Sequence, residues 1–228
     1  MYKNVVFVGL NQPGSNNKVN AGACVSSKSV RTQTDCDADN AEYADRNAHN
    51  IAWLQQSFTL AKQRGAAGVM IVTQGDPGFD LPETESVNER LSPDSDGYTD
   101  FLNALVAEVR GFNGQVVLVH GDTHFFKIDK PLVTQSELVP NITRVETFGS
   151  PNVHWIKVMV EPNSPDVFDF QPVIVSGNWV IVRAGTDALL GPGTVLLLRR
   201  LLAALVEVVH QRYHEQRQHR RGEGAEDQ

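Results

Sequence analysis

An α/β layered domain is the fold class this sequence predicts, and three observations predict it. Short apolar runs alternate with helical patterns as far as residue 125, after which only strand-like runs follow. The early runs stop abruptly at Gly, Pro, Asn or Asp. Gln74, Asp76, His120, Asp122 and His124 fall at those strand ends, where ligands collect in open α/β sheets.

Each element can be justified in turn. Residues 5–10, VVFVGL, read as a buried strand closed by Asn-Gln-Pro-Gly. Residues 11–35 are rich in Asn, Ser, Gly and Thr and read as a long loop, a kind that often carries function. A helix is expected over about 39–64, because Ile51, Leu54, Phe58 and Ala61 recur at helical spacing and Gly65 stops it. Residues 69–74 form the next strand, closed by Gly-Asp-Pro-Gly, with a polar loop over about 80–96. A second helix spans 98–110, its inner face made by Phe101, Leu102, Leu105, Val106 and Val109. The strand 116–120 opens the stretch VLVHGDTHFF, and further strands are expected at 143–147, 155–160 and 167–175.

Residues 1–177 thus make one domain and 178–228 an extension, Leu-rich and then charged. Arg199, Arg200 and Glu207 interrupt its apolar run, which falls short of a membrane span. It reads as a terminal helix that folds back on the domain or frays, or as an amphipathic helix for a partner, self-association or a membrane surface.

Composition narrows the class. Of 228 residues, 41% are hydrophobic and 21% charged, as in an ordinary globular protein. A formal charge of −7 argues against nucleic acid, whose partners usually show a basic face. The two cysteines, Cys24 and Cys36, are too few for a disulfide scaffold and fit no zinc spacing; in an oxidising compartment they can close one loop. The first residues lack the pattern of a signal peptide, so a cytoplasmic location is expected if Met1 is the true start. A leader upstream would make the protein periplasmic or secreted.

The turn GDTH concentrates the chemistry. Asp122 and His124, two apart after a buried strand, are spaced to bring a carboxylate and an imidazole to one small volume, and Gly121 lets the backbone bend. Those are ligand types that manganese, iron or zinc accept. His120 precedes the turn and is a candidate ligand, catalytic base or core residue. His154, beside Trp155, suits packing, and Asn16 and Asn17 suit a polar turn or a substrate contact. PGSNNK lacks the Gly-Lys-Ser/Thr ending of a phosphate loop, and no Gly-x-Ser-x-Gly elbow occurs. Asp37, Asp39, Glu42 and Asp45 lack calcium-loop spacing and fit a solvated acidic helix start.

GDTHFF resembles the terminal Gly-His-x-His motif of the calcineurin-like metallophosphoesterases. Residues 4–175 resemble the C-terminal half of that family through NVVFVGLNQPGSNN, EYADRNAHNIAWLQQSF, VMIVTQGDPGF, VLVHGDTHFF and RVETFGSPNVHWIKVMVEP, in the family's order. The resemblance implies part of a four-layer αββα sandwich. It also implies two divalent metal ions, manganese, iron or zinc, and in-line hydrolysis of phosphate esters with the metals stabilising the developing charge. His124 matches the second histidine ligand of the motif, Asp122 takes the place of the first, and Gln74 stands where an earlier strand usually ends in a metal-binding His.

The family's earlier motifs, Asp-x-His, Gly-Asp-x-x-Asp and Gly-Asn-His-Asp/Glu, are not found in this sequence. The expectation is therefore a metal-dependent phosphoesterase-family hydrolase in truncated form, with impaired or absent turnover. Its central sheet is expected to show an unpaired edge and uncovered apolar surface. The rival is a non-catalytic binding or interaction protein on a remnant of that fold.

Overall fold

The computed structural model describes residues 1–19, 24–25, 30–79, 96–132, 138–151 and 153–178. The expected loop over 80–96 lies outside the described residues except for Asp96, and the extension lies outside them beyond Asn178.

Five strands form the central sheet: β1 (Val5–Gly9), β2 (Gly68–Val72), β3 (Gln115–His120), β4 (Lys127–Asp129) and β5 (Ile142–Glu146). Their order is β1-β2-β3-β5-β4, with β4 antiparallel to β5 and every other pairing parallel. A separate antiparallel hairpin pairs β6 (Trp155–Val160) with β7 (Phe168–Val173). Two long helices accompany them, α2 (Gln33–Gln63) and α3 (Thr99–Arg110), with a single turn, α1 (Gly14–Asn17), between β1 and α2.

The sequence explains the layering. Side chains alternate across a strand, so a strand covered on both faces must be apolar throughout. On one face Val6, Val8, Val69, Ile71, Val116, Leu118 and Ile142 pack with Leu54, Phe58 and Ala61 of α2 and Phe101, Leu105 and Val109 of α3. On the other, Val5, Met70, Val117 and Val145 meet Phe168 and Phe170 of the hairpin, with Ile156, Val158 and Val160 beside them. The described residues therefore make three layers, helices, sheet and hairpin. The mixed α/β class with a mostly parallel sheet is present, whereas a second helical layer is not among the described residues.

Among the described residues, cover on the hairpin side is incomplete. Phe7 and Val72 are 45% and 44% exposed, and β1 is the outermost strand of the sheet. Among the described residues no helix is long and apolar enough to cross a membrane.

Helix α2 and strand β4 differ from the expectation. Helix α2 begins at Gln33, not near residue 39, because Thr32 and Asp35 form a capping box: the Thr32 hydroxyl accepts from the Asp35 N–H and the Asp35 carboxylate accepts from the Thr32 N–H. Those bonds hold the Asp35 carboxyl below its usual range. Strand β4 was unmarked because only three residues pair. Its Asp129 lies opposite Arg144 and binds that fully buried guanidinium, with Arg144 Nε donating at 2.8 Å.

Candidate metal centre

Register builds the centre. In the parallel pairing of β3 with β5, His120 lies opposite Glu146. Counting back by two from each reaches Leu118 and Val116, and Arg144 and Ile142, so both side chains point to the helix-facing side of the sheet. The third residue, Asp76, comes from the loop after β2. That loop is pinned by main-chain bonds from Thr73 N–H to Val119 O, Gly75 N–H to Gln12 O and Gly121 N–H to Gln74 O. The pins bring Asp76 Oδ1 to 3.7 Å from His120 Nε2. Ligand atoms of Asp76, His120 and Glu146 all lie within 4.8 Å of one another.

Burial makes this trio unusual. His120 and Glu146 are each 1% exposed, yet His120 Nε2 and Glu146 Oε1 have no hydrogen-bond partner. Buried polar atoms without partners cost about 1–3 kcal/mol each, so such a pair needs a reason. His120 Nδ1 sits 3.1 Å from the Gly121 carbonyl, which can only accept. The ring proton is therefore on Nδ1, and the Nε2 lone pair faces the two carboxylates, the tautomer a metal-ligating histidine uses.

Electrostatics agree with the geometry. Burial, reinforced by the Asp76 charge, pushes the Glu146 carboxyl up to about 7; Lys127, the Phe125 N–H and Arg144 pull the other way. Burial likewise lowers the His120 imidazole pKa against the opposing pull of Asp76. Two carboxylates and a neutral imidazole leave a negative, desolvated space. The donor set fits a divalent cation, with oxygen and nitrogen ligands of the kind manganese, iron and zinc share.

The residues singled out in the sequence are distributed around this trio. Gln74 turns its amide oxygen to the Gly14 N–H. Asp122 packs against the same glycine, where a Cβ would meet its Oδ1 at 2.3 Å, and accepts from the Asp76 N–H at 3.3 Å. His124 goes to the opposite side: its ring lies against Gly149, and its Nδ1 donates to Ser150 O at 2.8 Å. Asp122 and His124 both hold left-handed backbone, with φ of 78° and 66°. The turn thus hands the carboxylate to the β1 side and the imidazole to the β5 side. Among the described residues neither side chain belongs to a group of three potential ligands.

The polar turn α1 is a built feature. Ser15 and Asn16 are left-handed within it, as are Asn17 and Lys18. Arg46 of α2 donates to Asn17 Oδ1 at 2.6 Å and to Asn17 O at 2.9 Å. Asn17 Nδ2 donates to Gly97 O, whose own N–H returns a bond to Asn16 Oδ1. Strained backbone of this sort persists only when its surroundings over-determine it. His154 meets Phe148 edge-on at 5.0 Å between ring centroids, a packing role as expected. Cys24 and Cys36 are joined in a disulfide.

Sequence reasoning marked Asp76 and His120 but missed Glu146. The available signal was a charge in a strand otherwise made of Ile, Thr and Val, in alternation with Arg144. What made it part of a centre was its register with His120, a long-range fact. No protein-family model, curated protein or solved structure matches this chain.

Proposed function

We propose that this chain is a metal-dependent hydrolase of phosphoric esters, of the metallophosphoesterase kind, in which Asp76, His120 and Glu146 hold one divalent cation and turnover is slow or absent. The observation that carries this reading is the pair of buried, unpartnered ligand atoms, His120 Nε2 and Glu146 Oε1, facing Asp76 at the sheet's carboxyl rim. A divalent ion bound there supplies Lewis acidity and lowers the pKa of water. In this reading His120, a candidate catalytic base from sequence, acts as a ligand, because its lone pair is turned inward and its ring is sealed from solvent. Asp122 and His124 border the exposed side. The bond from His124 Nδ1 to Ser150 O leaves its Nε2 open to a phosphate oxygen or a second cation. Slow turnover follows from a three-residue ligand group where the resemblance implies a two-metal site.

Metal titration and phosphatase assay of the purified chain test this. Binding of about one manganese or zinc ion per chain, with a pH dependence set by ligand deprotonation, is expected. Hydrolysis of a simple phosphomonoester should be weak. No bound metal would refute the reading, and robust hydrolysis abolished by His124→Ala would refute the slow turnover. A non-catalytic interaction protein is the alternative, favoured by the half-exposed Phe7 and Val72 beside the outermost strand β1. That alternative predicts no bound metal at all.

A further inference from the structure

We propose that the aromatic side chains flanking the centre on its β5 side form a stacking subsite, so that the preferred phosphate ester carries a planar aromatic group. The inference rests on the hydrolase reading above and extends it to substrate class.

Four rings gather on that side. Phe125 follows His124 directly, and its backbone N–H binds the Glu146 carboxylate, so its Cα is anchored at a proposed metal ligand. Its side chain is nevertheless 70% exposed. An exposed aromatic ring following His124 is apolar surface that a planar ligand can cover. The next residue, Phe126, stacks on Phe148 with centroids 4.4 Å apart and planes 7° from parallel. His154 closes the row edge-on to Phe148. The row is held to the turn by His124, whose ring fills the space beside Gly149 and bonds to Ser150 O.

The opposite side of the centre is different in kind. There Asp122 packs on Gly14, and burial raises the Tyr98 hydroxyl pKa, with the charges of Asp122, Asp76 and Asp96 adding to it. That side repels a second anion. An ester whose phosphate approaches the cation therefore has its organic group directed to the aromatic side. Stacking suits a ring whatever its substituents, so an aryl phosphate and a nucleoside monophosphate share the required chemistry.

Calorimetric titration of the manganese-loaded full chain with phenyl phosphate, adenosine monophosphate, butyl phosphate and inorganic phosphate tests this. Phenyl phosphate should bind about tenfold more tightly than butyl phosphate, the scale of one stacked ring. Phe125→Ala should bring the two within about twofold while leaving inorganic phosphate unchanged, and Phe125→Trp should keep the preference. Tighter binding of adenosine monophosphate than of phenyl phosphate assigns a nucleoside as the source; the reverse order assigns a simple aryl ester. Equal binding of phenyl and butyl phosphate, with inorganic phosphate still bound, overturns the subsite and spares the hydrolase reading. Failure to bind manganese overturns both.

Discussion

His120 and His124 stand four residues apart, one ending β3 and the other in the turn that follows, yet they are held on opposite terms. His120 is 1% exposed, faces two carboxylates and has an Nε2 with no hydrogen-bond partner. His124 is exposed and takes its orientation from a main-chain carbonyl. The same contrast separates Glu146, sealed with an unpartnered oxygen, from Asp122, exposed and already accepting from a backbone N–H. The difference teaches how to read such a rim. A buried donor set left unsatisfied makes physical sense with a cation in it, whereas an exposed and oriented one makes sense as a surface for what comes from solution.

That contrast can be broken most sharply by metal affinity. His120→Ala should weaken manganese binding by at least about a hundredfold, more than the loss of a merely supporting contact. His124→Ala should change it far less, since His124 neither belongs to the buried group nor bonds to one of its members. Equal losses at the buried and exposed positions would erase the distinction between the two regions.

Next in size is a pH effect confined to the buried side. The Glu146 carboxyl is raised from 4.5 to about 7, so the folded chain keeps a proton that the unfolded chain releases. Stability from that proton is fully present below pH 4.5 and is lost as pH rises through about 7. Glu146→Gln cannot titrate. Its stability relative to the metal-free wild type should therefore grow by roughly 3 kcal/mol across that window, measured by urea unfolding. His120, lowered by burial, acts in the opposite sense, contributing stability that is lost as pH falls, and does so in both proteins. A flat difference between the two proteins would remove the buried carboxylic acid from the account.

Two smaller effects belong to the polar side. Reduction of Cys24–Cys36, whose sulfurs close a loop of sequence separation 12, should cost about 2–3 kcal/mol in thermal or urea unfolding. Asn17→Ala should cost about 1–2 kcal/mol, because it strips partners from the Arg46 guanidinium and from Gly97 O and puts a less tolerant residue at a φ of 52°. Neither change should shift manganese affinity, which would confirm that the left-handed turn and the buried trio are independent.

Much of the fold was legible because its signals are local. Apolar runs marked β1, β2 and β3, and helical spacing of Leu54, Phe58 and Ala61 marked α2. The start of α2 was missed because its cap is Thr32 with an aspartate at the third position, inside a stretch whose composition reads as loop. The site was legible in part. Its rim was foreseen from Asp76 and His120 at strand ends, but spacing within GDTH cannot reveal that left-handed backbone at both Asp122 and His124 sends their side chains to different segments. Glu146 entered through the register of β3 with β5, across 26 residues of chain. Pairing of that kind is a property of the assembled sheet.

The most direct test is the metal content of the wild-type chain and of the Glu146→Gln, His120→Ala double variant, measured after manganese loading and gel filtration. About one ion retained by the wild type and essentially none by the variant is the predicted result. Retention of the ion by the double variant, or its absence from both proteins, would contradict the assignment of a cation to Asp76, His120 and Glu146.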